Sequence, residues 1–163
     1  MRTVRTLSAL FVVAFMVSAG AASPTAAQQQ GTRCVAEFSM VLSPGLSEKA
    51  SAGAFHSGGE TGTITCADGR KGTYGTDGRY GTKNPSTCSS GGEGWGVSSF
   101  TIKNANVKNT YTIIFAGVSQ GTVQGTIQGE TFSGSFTFTP TEGDCFTKPM
   151  SKGTVRAEGI LQD

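Results

Sequence analysis

Cys34-Val35-Ala36-Glu37-Phe38-Ser39-Met40-Val41-Leu42 is the stretch whose reading decides the fold class. Every second residue (Cys34, Ala36, Phe38, Met40, Leu42) is apolar, and the residues between them are mixed. A period of two puts one set on each face of an extended strand, with the apolar set toward a core. Ser43-Pro44-Gly45 follows. Pro has no N–H for a ladder and Gly accepts a turn, so the strand is expected to end there.

Reading outward from this strand, the pattern repeats. Lys49 to His56 is a strand candidate built of small residues, Ser57-Gly58-Gly59 reads as a turn, and Gly62 to Cys66 is another strand. Asp68-Gly69 is the strongest hairpin signal, since both residues tolerate the positive φ of tight hairpin turns. Asp68-Gly69-Arg70-Lys71-Gly72-Thr73 returns nine residues later as Asp77-Gly78-Arg79-Tyr80-Gly81-Thr82. A ligand-binding repeat is one reading of this echo; a second hairpin turn of similar chemistry is preferred, because solenoid repeats need more copies and longer periods. Residues 84–94 form a loop containing Pro85 and Cys88, with Cys88 expected to tether it.

Strands then resume. Trp95 to Lys103 carries Phe100 and Ile102 on one face, and Tyr111 to Val118 is apolar on both faces, as in a strand covered twice. Thr122 to Gln128 leads to a tight turn at Gly129-Glu130, after which Phe132, Gly134, Phe136 and Phe138 share a face. Residues 140–144 read as a loop before Cys145, and Thr154 to Leu161 as the closing strand. No segment of ten residues keeps apolar positions at helical spacing. Eight or nine short strands with turn signals every ~8–12 residues indicate an all-β protein. Short connections favour an antiparallel meander. A β-barrel is preferred to a β-sandwich, because closure removes the edges that Thr-rich strands would otherwise expose.

The N-terminus sets the compartment. Arg2 and Arg5 precede an apolar run of eleven residues, Leu7 to Val17, and Ser18 to Ala27 is rich in small residues. That order is the pattern of a secretory signal peptide. The apolar run is short of the ~20 residues of a membrane-spanning helix. Residues 1–27 are therefore expected to be removed at Thr25-Ala26-Ala27, with Ala22 the alternative site, leaving 28–163 as a single all-β domain. No lipobox precedes Cys34, which follows Gly31-Thr32-Arg33. The expected location is extracellular, or periplasmic in a Gram-negative source, with no stable membrane insertion after cleavage.

Charge and cysteines follow from that cleavage. The chain has thirteen Lys and Arg against eleven acids, and losing Arg2 and Arg5 balances them. A neutral surface without a Lys/Arg cluster gives no basis for binding nucleic acid. Cys34, Cys66, Cys88 and Cys145 are even in number and, in an oxidising compartment, are expected to form two disulfides of unassigned connectivity. Their separations of 32, 22 and 57 residues lack the paired spacing of a zinc site, and the sole histidine is His56. No metal or cofactor is implied.

The turns and cysteines together carry a resemblance. Ser43-Pro44-Gly45-Leu46, Gly62-Thr63-Ile64-Thr65-Cys66, the Ser/Gly-flanked Cys88, the run from Gly125 to Gly134 and the final Cys145 resemble, in order, small secreted four-cysteine β proteins of unknown function from actinobacteria. The resemblance spans nearly the whole mature chain; it implies secretion and β architecture and no activity. Gly72-Thr73-Tyr74, Gly78-Arg79-Tyr80 and Gly94-Trp95-Gly96-Val97 are also similar to strands of the avidin class of β-barrels. That class walls its biotin pocket with several tryptophans, and this chain has one, so biotin binding is not carried over.

Candidate site residues are few. Trp95 is bracketed by glycines two residues from Glu93, a pairing able to stack on a sugar or other flat ligand while the carboxylate accepts hydrogen bonds. The competing reading, favoured by the burial habits of Trp, has Trp95 plugging one end of the core. Tyr74 and Tyr80 flank Asp77-Gly78 and either extend the ligand surface or pair across a hairpin. Glu37 lies opposite Phe38; it is a buried acid if its face lines a barrel lumen, and an ordinary polar residue, the preferred reading, if that face meets water. His56 has no nucleophile elbow or orienting acid and reads as a surface residue. With no catalytic set, the expected function is a non-enzymatic binding or surface-interaction module for a small molecule, glycan or protein. The alternative is a small enzyme or inhibitor using the barrel mouth or the Cys88 loop.

Overall fold

The computed structural model describes residues 31–58, 62–102, 105–115, 120–127 and 129–162; for 100–102, 105–115 and 127 it describes the backbone. The expected signal segment, and the side chains expected to cover 111–118 on both faces, lie outside the described residues. Nine strands follow in order: β1 (Thr32–Leu46), β2 (Gly53–Ser57), β3 (Gly62–Cys66), β4 (Lys71–Tyr80), β5 (Glu93–Ile102), β6 (Ala105–Phe115), β7 (Gln120–Ile127), β8 (Glu130–Glu142) and β9 (Met150–Gln162). The described residues contain no helix.

All nine strands join one antiparallel sheet. β2 and β3 lie end to end, each paired with β1 on one side and β4 on the other. Their partners on β1 run on from Met40 at Ser57 to Glu37 at Thr63. They therefore fill one place in the sheet. Strands β4 to β9 then pair consecutively, and β9 returns to pair with β1 from Thr32↔Leu161 to Leu46↔Met150. The ladder closes on itself as a barrel of eight places. The expected all-β antiparallel meander is what the chain adopts.

Three expected turns are corrected. β1 does not stop at Ser43-Pro44-Gly45: its pairing with β9 resumes at Leu46 after a shift in which the four residues Leu42 to Gly45 lie against the single Ser151. A bulge of this kind lets a strand carry a proline without breaking the sheet. The Tyr80 hydroxyl holds the bulge by donating to the Pro44 carbonyl. β8 likewise runs through Pro140 to Glu142, with a register shift between those two residues. Asp77-Gly78 is the third correction. Asp68-Gly69 does turn, with Gly69 at φ 89°, but Asp77-Gly78 sits inside β4. There Gly78 makes room rather than a bend: a Cβ at Gly78 would overlap the Phe55 ring, and one at Gly96 would lie 3.0 Å from it.

The barrel interior is filled by aromatics laid over glycines. Phe55 covers Gly78, Gly94 and Gly96. Phe132 and Phe138 crowd Gly159 and Gly153 in the same way. Glycine in a strand gives up side-chain packing, and an aromatic ring over it restores the buried area. Phe38, Met40, Leu42, Phe136, Val155 and Met150 complete the main cluster, and Tyr74, Phe132 and Ala157 link it to a smaller one around Cys34, Ile64 and Leu161.

Each end of the barrel is fastened. Cys34 and Cys66 are register partners on β1 and β3 and are bridged. The second bridge, Cys88–Cys145, ties the β4–β5 loop to the β8–β9 loop at the other end. These pairings resolve the three connectivities the sequence leaves open. Loops of 32 and 57 residues each correspond to about 4 kcal/mol in the chain-entropy account. At the Cys34–Cys66 end, Arg70 on the β3–β4 hairpin is clamped between Asp68 and Glu130 at the β7–β8 turn. Those two hairpins stand on opposite sides of the eight-place ring, so the clamp spans the mouth.

Candidate functional site

Strand alternation sorts the candidate residues between the inside and outside of the barrel. Gly94, Gly96 and Ser98 on β5 are buried, which turns Glu93, Trp95 and Val97 outward. Thr76 and Tyr80 on β4 are buried, which turns Asp77 and Arg79 outward. Trp95 is 48% exposed and Val97 37%. The favoured expectation that Trp95 plugs the core is overturned, because the volume behind β5 is already taken by the Phe55 ring resting on Gly94 and Gly96.

Register builds the surface around this indole. Arg79 is the partner of Trp95 on β5 and of Ala54 on β2. Asp77 is the partner of Val97 on β5 and of His56 on β2. Three adjacent strands therefore present Trp95, Arg79 and Ala54 in one row and Val97, Asp77 and His56 in the next. The side chains of His56, Asp77 and Arg79 are exposed and hold no hydrogen bond or ion pair among the described residues. Glu93, beside Trp95 along β5, is held loosely by Lys83 at 3.8 Å.

Tyr74 and Tyr80 do not share this face. Tyr80 is fully buried, and burial pushes its phenol pKa up. Tyr74 packs its ring on Phe38 with centroids 4.8 Å apart and shares a 2.7 Å hydrogen bond with Ser98 Oγ. Both point inward because Asp77-Gly78 continues the strand, which keeps Tyr74 and Tyr80 in phase with buried Thr76.

Glu37 is also away from Trp95, on the outer face of β1, as the preferred reading held. It pairs with Arg156, its register partner on β9. Arg156 reaches Glu158 at 3.5 Å, and Glu158 also pairs with Arg33. Two open clefts of ≈ 550 and ≈ 470 Å³ flank the Glu37–Arg156 pair, lined by Ser39, Thr137, Thr139 and Thr154 on one side and by Val35, Thr63 and Thr65 on the other. They lie outside the barrel. At the Cys88–Cys145 end, by contrast, the space among Met40, Leu42, Leu46, Phe136, Phe138 and Met150 is only ≈ 10 Å³.

The sequence reading missed a third feature. Asp144 caps the turn that follows it, accepting the N–H groups of Phe146, Thr147 and Lys148 and the Thr147 hydroxyl. These bonds, the hydroxyl's foremost, hold its carboxyl at about 2. Cys145 in the same turn has φ 81° and is bridged to Cys88. Phe146 stands out from this turn 71% exposed. The Asp-x-x pattern is a recognised local cap and was the available signal. Glu48 lies near both sulfurs of that bridge, but bonded sulfurs are not thiolate ligands, so the grouping offers no metal centre.

No family model matches the chain, and no curated protein or solved structure matches it.

Proposed function

We propose that this is a secreted, non-enzymatic binding module whose contact surface is the outer face of β2, β4 and β5 around Trp95. The observation that carries the reading is the placement of the chain's one tryptophan on the outside, beside three polar side chains without partners among the described residues. Exposed Trp and Arg are the residues that most often dominate binding surfaces. Secretion is supported by the signal-like residues 1–27 and by the pairing of all four cysteines. A catalytic reading has less support: Glu37 and Glu93 face outward and each has a cationic partner.

Trp95→Ala tests this proposal. The indole is 48% exposed, so the variant should stay folded and lose far less stability than a core truncation would. It should lose at least tenfold in affinity for whatever glycan or peptide arrays identify as a ligand of the parent. Equal binding by parent and variant would reject this face.

Phe146 favours a second reading, in which the disulfide-anchored turn inserts into an apolar pocket of a protein partner. A substrate-like protease inhibitor is a poor fit to it. The N–H groups of Phe146 and Thr147 bond inward to Asp144, and Cys145 N–H bonds to the Lys148 carbonyl, so the turn does not present an extended strand.

A further inference from the structure

Resting on the reading that the Trp95 face binds, we infer that its ligand is a neutral glycan, with one pyranose ring stacked on Trp95 and its hydroxyls held by Asp77 and Arg79. The size of the patch is the first argument. Strands lie about 4.8 Å apart and alternate residues about 7 Å apart, so the six residues of the two rows cover about 10 by 7 Å. That is the footprint of one or two sugar rings. A stable protein interface buries about 800 Å² on each side around an apolar centre. Here, among the described residues, the large apolar side chains are Trp95 and Val97, with Arg79 and Asp77 as their β4 neighbours.

Chemistry is the second argument. A pyranose has a C–H face that lies flat on an indole and a rim of hydroxyls that both donate and accept. A carboxylate accepts from two neighbouring hydroxyls and a guanidinium donates to two, so Asp77 and Arg79 together match both halves of that rim. Arg79 is the direct cross-strand neighbour of Trp95, and Asp77 is the next outward residue on the same strand. Their formal charges cancel, which leaves no excess to select an anionic sugar. His56 stands beside Asp77 as a further donor or acceptor at the edge.

Rigidity is the third. Behind the patch, the Phe55 ring packs on the backbones of Gly78, Gly94 and Gly96, and Phe55 is itself fully buried. The strands carrying Asp77, Arg79 and Trp95 are thereby held as a platform before any ligand arrives, which limits the ordering cost of binding.

The test is calorimetric titration of the intact protein with cello-, chito-, manno- and xylo-oligosaccharides, alongside sulfated heparin oligosaccharides and a peptide array, because Trp95 is the sole tryptophan and its variants carry no indole reporter. A saturable change with a neutral oligosaccharide is expected. Trp95→Ala should weaken it at least tenfold, Trp95→Phe should recover part of the loss, and Asp77→Asn and Arg79→Ala should each weaken it several-fold, all in protein that remains folded. If no neutral sugar binds while a Trp95-dependent peptide ligand appears, the glycan inference is overturned and the binding face stands. Preference for heparin overturns the neutral assignment. Sugar binding indifferent to Trp95→Ala, or no Trp95-dependent ligand of any kind, overturns both.

Discussion

The outer face of β1 and β9 and the outer face of β4 and β5 arise from the same period-two alternation, and they treat charge in opposite ways. On β1 and β9, Arg33, Glu37, Arg156 and Glu158 are consumed by one another in a cross-strand ladder. On β4 and β5, with β2 beside them, the side chains of Asp77, Arg79 and His56 have no partner among the described residues and stand next to an exposed Trp95. Paired charges stabilise a register and have little left to offer a ligand; unpaired ones remain available for recognition. The difference also reaches beneath the surface. The paired face lies over the seam where the last strand closes on the first. The unpaired face lies over Phe55 and its three glycines.

The largest effect should come from removing the support of the second face. Phe55→Ala strips the ring from Gly78, Gly94 and Gly96 and leaves a cavity, and should cost about 3–5 kcal/mol in chemical denaturation. If it costs less than ~1 kcal/mol, the ring is not what holds the platform. Next, the Cys34→Ser/Cys66→Ser double variant opens the bridge beside the paired face. It should cost about 2–4 kcal/mol and leave binding at Trp95 intact in protein that remains folded. Loss of binding in that folded protein would show that the two faces are coupled. The smallest effect belongs to the ladder. A double-mutant cycle on Glu37 and Arg156, both exposed, should return a coupling of about 0.2–1 kcal/mol that fades with salt. A coupling well above that, or one insensitive to salt, would mean the pair is more than a surface ion pair.

Much of the fold was legible. Gly62 to Cys66 is a strand with the ends expected of it, and Asp68-Gly69 turns where the Asp-Gly chemistry requires. Phe136 and Phe138 share the buried face that alternation assigned them. The errors share a cause. Pro44, Pro140 and Asp77-Gly78 read locally as stops, yet each strand continues because its neighbours continue to pair with it. A bulge absorbs Pro44, another irregularity absorbs Pro140, and Gly78 answers to a ring from another strand. Of the candidate residues, Glu93 and Trp95 stayed together because they are two apart on one strand. Tyr74 and Tyr80 were placed near them through a turn that does not exist. His56, Asp77 and Arg79 were on the page as residues, but their assembly beside Trp95 depends on which strands are neighbours.

The all-β class, the lack of helical periodicity and most strand positions are legible in residue order, because they depend on residues close together along the chain. Which cysteines pair, the closure of β9 on β1 and the outward turn of the lone tryptophan emerge from the folded chain. Those outcomes depend on strand register and on how a fixed interior volume is shared. Once Phe55 fills the space over Gly94 and Gly96, no room is left for an indole, and the alternation of β5 sends Trp95 to the surface.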